Sequence, residues 1–103
     1  MGIRLRLSHQ TLAILEALLA RPSQWHHGYA ISRQTGISSG TLYPVLMRLD
    51  KLGWLETQWE DSDAAGRPPR HLYRLTSDGR EWAREEMRAA REREFWKPAA
   101  SQA

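Results

Sequence analysis

Apolar residues recur at helical spacing in the first third of the chain. The first such stretch follows Ser8, a residue type that caps helices, and it ends near Arg21 because Pro22 cannot continue a helix. Residues 22–28 lack this periodicity and are predicted to form a loop or short turn. A second, shorter helix is predicted over residues 29–34, and Gly36 closes it.

A third helix is predicted over residues 39–52. Ser38 stands at its start as a cap, and Gly53 ends it. Its apolar positions fall on one face. A helix, a short helix, a tight glycine turn and a third helix together indicate a helix-turn-helix unit.

The pattern changes to strand spacing after the third helix. Residues 54–59 alternate and are rich in residues that favour strands, and residues 71–75 read as a returning strand. The polar segment 60–69 between them contains one glycine and two prolines. A hairpin with a long polar tip directly after a helix-turn-helix is typical of a wing. The predicted fold class is therefore α+β and mostly helical: a winged helix-turn-helix of three helices and a two-stranded wing.

One more helix is predicted after the hairpin. Thr76 caps it, and it is expected to run from Ser77 to about Trp96, because Pro98 follows. This gives a domain organisation of residues 1–76 as a winged helix-turn-helix domain and 77–97 as a separate C-terminal helix. Residues 98–103 are expected to be a disordered tail.

Composition narrows the class of protein. The chain has 103 residues, of which 41% are hydrophobic and 26% charged, so one globular domain is expected. It has no cysteine, and its four histidines lack the spacing of a zinc site, so neither a metal nor another cofactor is expected. No apolar run is long enough to span a membrane, and no signal-peptide core is present, so we expect the protein in the cytoplasm.

The charge is mildly basic, with a formal net value of +3. Of the fifteen Lys and Arg residues, only Lys51 and Lys97 are lysines. Arginine suits bidentate contacts with phosphate and guanine, which favours nucleic acid as a partner. A genome rich in arginine codons would give the same bias.

The start of the third predicted helix is rich in hydrogen-bond donors. Pro44 is tolerable there only because it lies near the N-terminal turn, and Gly40 has no Cβ, so another surface can approach its backbone. Free N–H groups at a helix N-terminus bind phosphate well. The expected donors are the N–H groups of Ser39, Gly40 and Thr41 and the hydroxyls of Ser38, Ser39, Thr41 and Tyr43. The alternative is that Ser38 only caps the helix and Tyr43 only packs.

Several short motifs follow one another between about Leu7 and Arg80. They are His27-Gly28-Tyr29-Ala30-Ile31, Gly40-Thr41-Leu42-Tyr43-Pro44-Val45-Leu46, Arg48-Leu49, Leu52-Gly53, Gly66-Arg67-Pro68, Tyr73-Arg74-Leu75-Thr76 and Gly79-Arg80. In this order they resemble the PadR family of bacterial transcriptional regulators. Two features depart from the family: the turn between the second and third helices is short, and only one helix follows Arg80.

The resemblance implies a dimeric winged helix with a repressor role. It implies that Ser39, Thr41, Tyr43 and Arg48 face DNA, and that Arg67 and Arg70 of the wing reach an adjacent groove. A narrow minor groove attracts such arginines. The alternative for the wing is an exposed loop whose charges are merely solvated.

The last predicted helix carries apolar residues that a charged helix does not need. We assign Trp82, Met87, Ala90, Phe95 and Trp96 to a contact with a second subunit. Phe95 and Trp96 are expected beyond the reach of a small core, so a second copy is the simplest cover. The aromatic centre of such a dimer could also hold a small aromatic effector, although packing alone explains the tryptophans.

Other functions fit the sequence less well. It has no phosphate-binding glycine loop, no nucleophile–histidine–acid set and no carboxylate pair in an apolar setting, so no catalytic residues are assigned and an enzyme is not expected. A winged-helix module that binds proteins stays an alternative, as does a regulator resembling the MarR or ArsR families.

Overall fold

The fold is seen in a computed structural model, which describes residues 7–60, 66 and 70–96. The helices are α1 (His9–Ala20), α2 (Gly28–Thr35), α3 (Ser39–Lys51) and α4 (Ser77–Glu92), and the strands are β1 (His26–His27), β2 (Leu55–Glu60) and β3 (Arg70–Leu75). The fold is mostly helical, with a small antiparallel sheet, as a winged helix-turn-helix requires. Arg67 and the predicted tail lie outside the described residues. No helix in the described part is long and apolar enough to cross a membrane.

The residues predicted to cap and close the early helices do so. The Ser8 hydroxyl accepts a hydrogen bond from the Thr11 N–H at 3.1 Å and satisfies one orphan donor of α1. Gly36 follows α2 with a φ of 75°, and its N–H donates to the Ser32 carbonyl. Such a left-handed residue strongly favours glycine.

The sheet has the strand order β1-β3-β2 within the described residues. Strands β2 and β3 form the wing hairpin, paired from Leu55 opposite Leu75 to Glu60 opposite Arg70. Strand β1 pairs with the other edge of β3, with His26 opposite Tyr73. The prediction of a simple loop over residues 22–28 is therefore wrong at His26 and His27.

The core draws on every helix and on the wing strands. Its fully buried large side chains are Leu12, Ile14, Leu15, Leu18, Ile31, Leu42, Leu46 and Leu75. Helix α4 closes this core with Ala83, Met87 and Ala90, all of them buried. Because these side chains fill the core from one side, the residues before Ser77 do not complete the core by themselves.

A close approach joins α4 to the segment between α3 and β2. A Cβ on Gly79 would stand 2.0 Å from the carbonyl oxygen of Trp54, so only glycine fits there. The Thr76 hydroxyl accepts from the Gly79 N–H at 2.9 Å and caps α4. Trp82 then stacks on Trp54 with ring centroids 5.1 Å apart.

The chain reverses at the end of α4. The helix ends at Glu92 and not near Trp96 as predicted, and Glu94 adopts a left-handed φ of 58°. The N–H groups of Phe95 and Trp96 both donate to the Ala90 carbonyl. This turn brings the two aromatic rings back to α1, where they meet His9 at centroid distances of 4.2 and 5.7 Å.

Candidate nucleic-acid interface

Helix α3 has one buried and one exposed face. Leu42, Leu46 and Leu49 point into the core at helical spacing. The exposed residues of this helix are Ser39, Gly40, Tyr43, Pro44, Met47, Arg48, Asp50 and Lys51. The face that the core leaves free therefore carries most of the α3 residues that the sequence predicts to contact DNA, together with the acidic Asp50.

The N-terminus of α3 has fewer free donors than predicted. The N–H groups of Thr41 and Leu42 both donate to the Ser38 carbonyl, at 3.1 and 2.9 Å, and Thr41 is half-buried. The prediction that the Thr41 N–H is free is wrong, and the N–H groups of Ser39 and Gly40 are left as donors. The exposed Ser38 occupies the cap position, yet its hydroxyl makes no capping hydrogen bond.

Gly40 and Pro44 shape the exposed start of α3. A Cβ on Gly40 would meet no atom within 4 Å, so packing within the chain does not require glycine there. Pro44 lies inside the helix, where it removes the hydrogen bond to the Gly40 carbonyl. The helix nevertheless continues to Lys51. This end of α3 is thus open to a close partner.

Tyr43 stands where α2, α3 and the wing meet. Its side chain packs so closely on Gly28 that a Cβ there would lie 2.5 Å from the tyrosine hydroxyl. Its ring centroid is 6.4 Å from that of Tyr73 on β3. With 37% of its surface exposed, Tyr43 is held by its neighbours and still reaches solvent.

A groove of about 650 Å³ lies beside Tyr43, between α2 and the wing. It is lined by His27, Gly28, Tyr29, Ala30, Tyr43, Trp59, Arg70 and His71, and we call it the α2–wing groove. On the wing, Trp59 stacks on His71 with centroids 4.3 Å apart and planes 11° apart. At the other wall, His27 Nε2 is 2.9 Å from a carboxylate oxygen of Glu60.

One of the arginines predicted to contact DNA lies at the α2–wing groove, and another lies far from it. Arg48 is exposed in the last turn of α3, about 14 Å along the helix from Ser39 at 1.5 Å per residue. Arg70 is exposed at the start of β3 and lines the groove. The geometry therefore brings Arg70 and Tyr43 to one groove and leaves Arg48 at the far end of α3.

Comparison with known proteins identifies the family. The sequence matches the family model of the transcriptional regulator PadR-like family over residues 14–85, which is more than half of the chain. The chain belongs to the PadR-like family of transcriptional regulators. No curated protein matches the sequence significantly.

Solved structures share the PadR-like fold. A PadR-like transcription factor from Bacteroides fragilis has 24% sequence identity and a TM-score of 0.67, covering 82% of this chain and 85% of that one. A PadR family regulator from Clostridium difficile R20291 has 20% identity and a TM-score of 0.69, covering 84% and 92%. BpsR from Bordetella bronchiseptica, whose DNA binding is regulated by 6-hydroxynicotinic acid, has 24% identity and a TM-score of 0.65, covering 84% and 61%.

The residues assigned to a subunit contact divide into two groups in this PadR-like chain. Met87 and Ala90 are buried inside the protomer, so their assignment to a contact with a second subunit is corrected. Trp82 is half-buried on Trp54. Phe95 keeps 42% of its surface exposed, and Trp96 is partly buried, with an indole N–H that is itself buried and has no partner among the described residues. Only Trp82, Phe95 and Trp96 remain available to a second copy.

Six of the eight groove residues were not assigned to DNA binding from the sequence: His27, Gly28, Tyr29, Ala30, Trp59 and His71. Tyr29, Trp59 and His71 line the α2–wing groove, and the first two are among the most exposed large side chains described. The alternation in residues 54–59 signals that Trp59 lies on one face of a strand, but it does not identify what that face meets. Within the described residues, no group of three or more potential metal ligands is found.

Proposed function

We propose that this PadR-like chain is a cytoplasmic, sequence-specific DNA-binding regulator that represses transcription as a homodimer on an inverted-repeat operator. The observation that carries the proposal is the exposed face of α3. Its N-terminal turn offers N–H groups and hydroxyls, its far end offers Arg48 and Lys51, and Arg70 of the wing stands beside it. Donors and cations of this kind suit a phosphate backbone and base edges.

In the proposed complex, α3 enters the major groove with its N-terminal turn first. The exposed hydroxyls of Ser38, Ser39 and Tyr43 donate to phosphates, and the half-buried Thr41 makes at most a peripheral contact. Gly40 and Pro44 give this turn a low profile, which lets the backbone of α3 approach the duplex. Arg67 and Arg70 of the wing reach the neighbouring minor groove, where a narrow groove attracts arginine.

The proposed dimer uses the aromatic turn after α4. Phe95 is exposed, so a second copy that packed on this turn would cover apolar surface. A two-fold dimer uses the same patch twice. It would present two copies of α3 to half-sites spaced by about 34–36 Å or a multiple of it. A dimer seated on such an operator represses by excluding other proteins from the same DNA.

A small aromatic effector is the proposed regulatory partner at the dimer centre. The support is the pair of parallel indoles, Trp54 and Trp82, of which Trp82 is one of the residues available to a second copy. BpsR, which shares the fold, is regulated by an aromatic acid. A flat ligand that packs on these indoles would change the angle between subunits and thereby the spacing of the two α3 helices.

The experiment that tests DNA binding is selection of bound genomic fragments, followed by fluorescence anisotropy on the selected duplex. Between about 50 and 200 mM salt we expect affinity to fall by about 10³-fold or more, because arginine–phosphate contacts release counterions. Arg48→Gln is expected to weaken binding, whereas Arg84→Gln, an exposed position on α4, serves as the matched control. Weak binding that is insensitive to salt for every duplex would reject the proposal in favour of a protein-interaction module.

A further inference from the structure

The α2–wing groove is lined by two large aromatic side chains that are mostly exposed to solvent. Tyr29 is 68% exposed and Trp59 is 65% exposed, and both line the same groove. One face of the Trp59 indole rests on His71, which leaves the opposite face without a packing partner among the described residues. Large exposed rings that converge on one groove are typical of an interaction surface.

A hydrogen bond orients His71 beside this groove. Its Nδ1 lies 3.1 Å from the Tyr73 hydroxyl, which can donate to that nitrogen or accept from it. Nε2 of His71 has no hydrogen-bond partner among the described residues, so it is left for a ligand in the groove.

The polar groups of the groove fit an anion. Arg70 and His71 stand on the wing side, and the hydroxyls of Tyr29 and Tyr43 stand on the helix side. A carboxylate oxygen of Glu60, which stands opposite Arg70 in the hairpin, lies 2.9 Å from His27 Nε2. None of the lining residues is acidic. The groove thus combines flat apolar walls with donors and one permanent cation.

We propose that the α2–wing groove clasps the sugar–phosphate backbone of one DNA strand as that strand passes between α3 and the wing. A deoxyribose packs on the free face of Trp59, and the bridging phosphate accepts from His71 Nε2–H, Arg70 and the Tyr29 hydroxyl. The inference rests on the proposed DNA-binding function and adds Tyr29, Trp59 and His71 to its interface.

Continuity with the α3 surface favours DNA as the occupant. Tyr43 and Arg70 belong both to the groove and to the residues proposed to meet DNA. A duplex seated on α3 and on the wing therefore has a strand crossing this groove. The sugars of that strand would meet the ring faces of the groove, and its phosphates would meet the hydrogen-bond donors. Because the backbone is the same in every sequence, the clasp contributes affinity without sequence preference.

The test uses the full chain and anisotropy on the selected duplex and on a scrambled duplex of equal length. We expect Trp59→Ala to weaken both by about tenfold, as the loss of one aromatic anchor does, and to leave the salt slope unchanged. Arg70→Gln is expected to weaken both and to reduce the salt slope by about one. Trp59→Phe, which keeps a flat ring, is expected to retain most of the affinity.

Gln58→Ala is the matched control, since Gln58 is exposed on β2 and neighbouring strand residues face opposite sides. Unchanged binding of both duplexes by Trp59→Ala and His71→Ala would overturn the clasp while the parent still bound DNA. Failure of the parent to bind any duplex would instead reject the proposed function. A third outcome combines normal DNA binding by Trp59→Ala with a shift of the Trp59 indole N–H resonance when sodium benzoate alone is added to the parent protein. In that case the groove would be a small-molecule site and the clasp would be rejected.

Discussion

Two exposed surfaces of this molecule differ in the chemical groups that they present. The exposed face of α3 and the adjoining wing present hydroxyls, N–H groups and arginines over a closed leucine core. The surface formed by α1 and the turn after α4 presents rings instead, with Phe95 and Trp96 packed on His9. Water satisfies the polar groups of the first surface when it is empty, whereas the second surface leaves apolar area of Phe95 exposed.

This difference separates two kinds of partner. Hydrated donors and cations give little affinity for an apolar surface, but they replace counterions on a phosphate backbone. Exposed rings gain most when another apolar face excludes water from them. Substitutions at the α3 surface should therefore change DNA affinity and leave the oligomeric state unchanged. Substitutions on the surface formed by α1 and the turn after α4, which we call the ring surface, should change the oligomeric state before they change DNA affinity.

The largest expected effect falls on the core that both surfaces share. Met87→Ala should lower the free energy of unfolding by about 2–5 kcal/mol, because Met87 is 3% exposed and its removal leaves a cavity under α4. Chemical denaturation measures the change. Arg84→Ala, at an exposed position on the same helix, should lower it by less than about 0.5 kcal/mol. Equal stability of Met87→Ala and the parent would show that packing of α4 on the hydrophobic core does not stabilise the fold.

The second effect concerns the ring surface. Phe95→Ser should weaken the proposed dimer by about three- to eightfold, because only the 42% of its surface still exposed can be buried on association, which contributes roughly 0.6–1.3 kcal/mol. Stability of the protomer should change little, since Phe95 is 42% exposed. Sedimentation velocity across micromolar concentrations measures the shift to monomer.

Leu52→Ser provides the matched control for that experiment. Leu52 is an exposed apolar residue at the end of α3, so the same kind of apolar loss occurs on a different surface. If Leu52→Ser dissociated the dimer and Phe95→Ser did not, the subunit contact would lie near α3. Deleting everything after Arg80 is not a clean test, because it would also remove Met87 and Ala90 from the core.

Sequence patterns predicted the helices and the hairpin because burial fixes their periodicity. Ser8, Gly36 and Thr76 mark element ends by local chemistry, and the structure has them in those roles. Strand β1 has two residues and exists only through its pairing with β3, so no local signal reveals it. The reversal at Glu94 is likewise unmarked, since a non-glycine residue with positive φ gives no pattern in the sequence.

The third effect tests the polar surface. Tyr43→Phe should lower affinity for every duplex by about three- to tenfold, the range of one net hydrogen bond. Anisotropy measures the affinity, and sedimentation should show an unchanged dimer. Unchanged affinity would mean that the Tyr43 ring is present for packing alone.

Gly28→Ala sharpens this test by moving the same hydroxyl without removing it. The new Cβ would lie 2.5 Å from the Tyr43 hydroxyl, so the ring has to shift. We expect a loss of DNA affinity similar to that of Tyr43→Phe, and no further loss when both changes are combined. Fully additive losses would show that Gly28 acts independently of Tyr43.

Part of the candidate interface was predictable and part was not. The donors at the start of α3 and the wing arginines follow from residue type and position, and they remain predictions about DNA. The groove is different, because Tyr29, Trp59 and His71 come from separate elements that only the paired strands and packed α2 bring together. No pattern of residues along the sequence therefore predicts that these three side chains lie in one groove.

The smallest effect concerns Tyr73, which lies beneath the groove. Burial, with smaller contributions from Tyr43 and Asp50, raises the pKa of Tyr73 from 10.0 to about 12. Because the folded pKa lies above the ordinary value, the protein is stabilised fully below pH 10 and loses that contribution as pH rises toward about 12. Denaturation curves should show this alkaline loss in the parent and a smaller one in Tyr73→Phe. Tyr29→Phe is the control, since Tyr29 is exposed and its removal should leave the loss intact. Equal alkaline losses in all three proteins would mean that Tyr73 titrates as a solvated phenol.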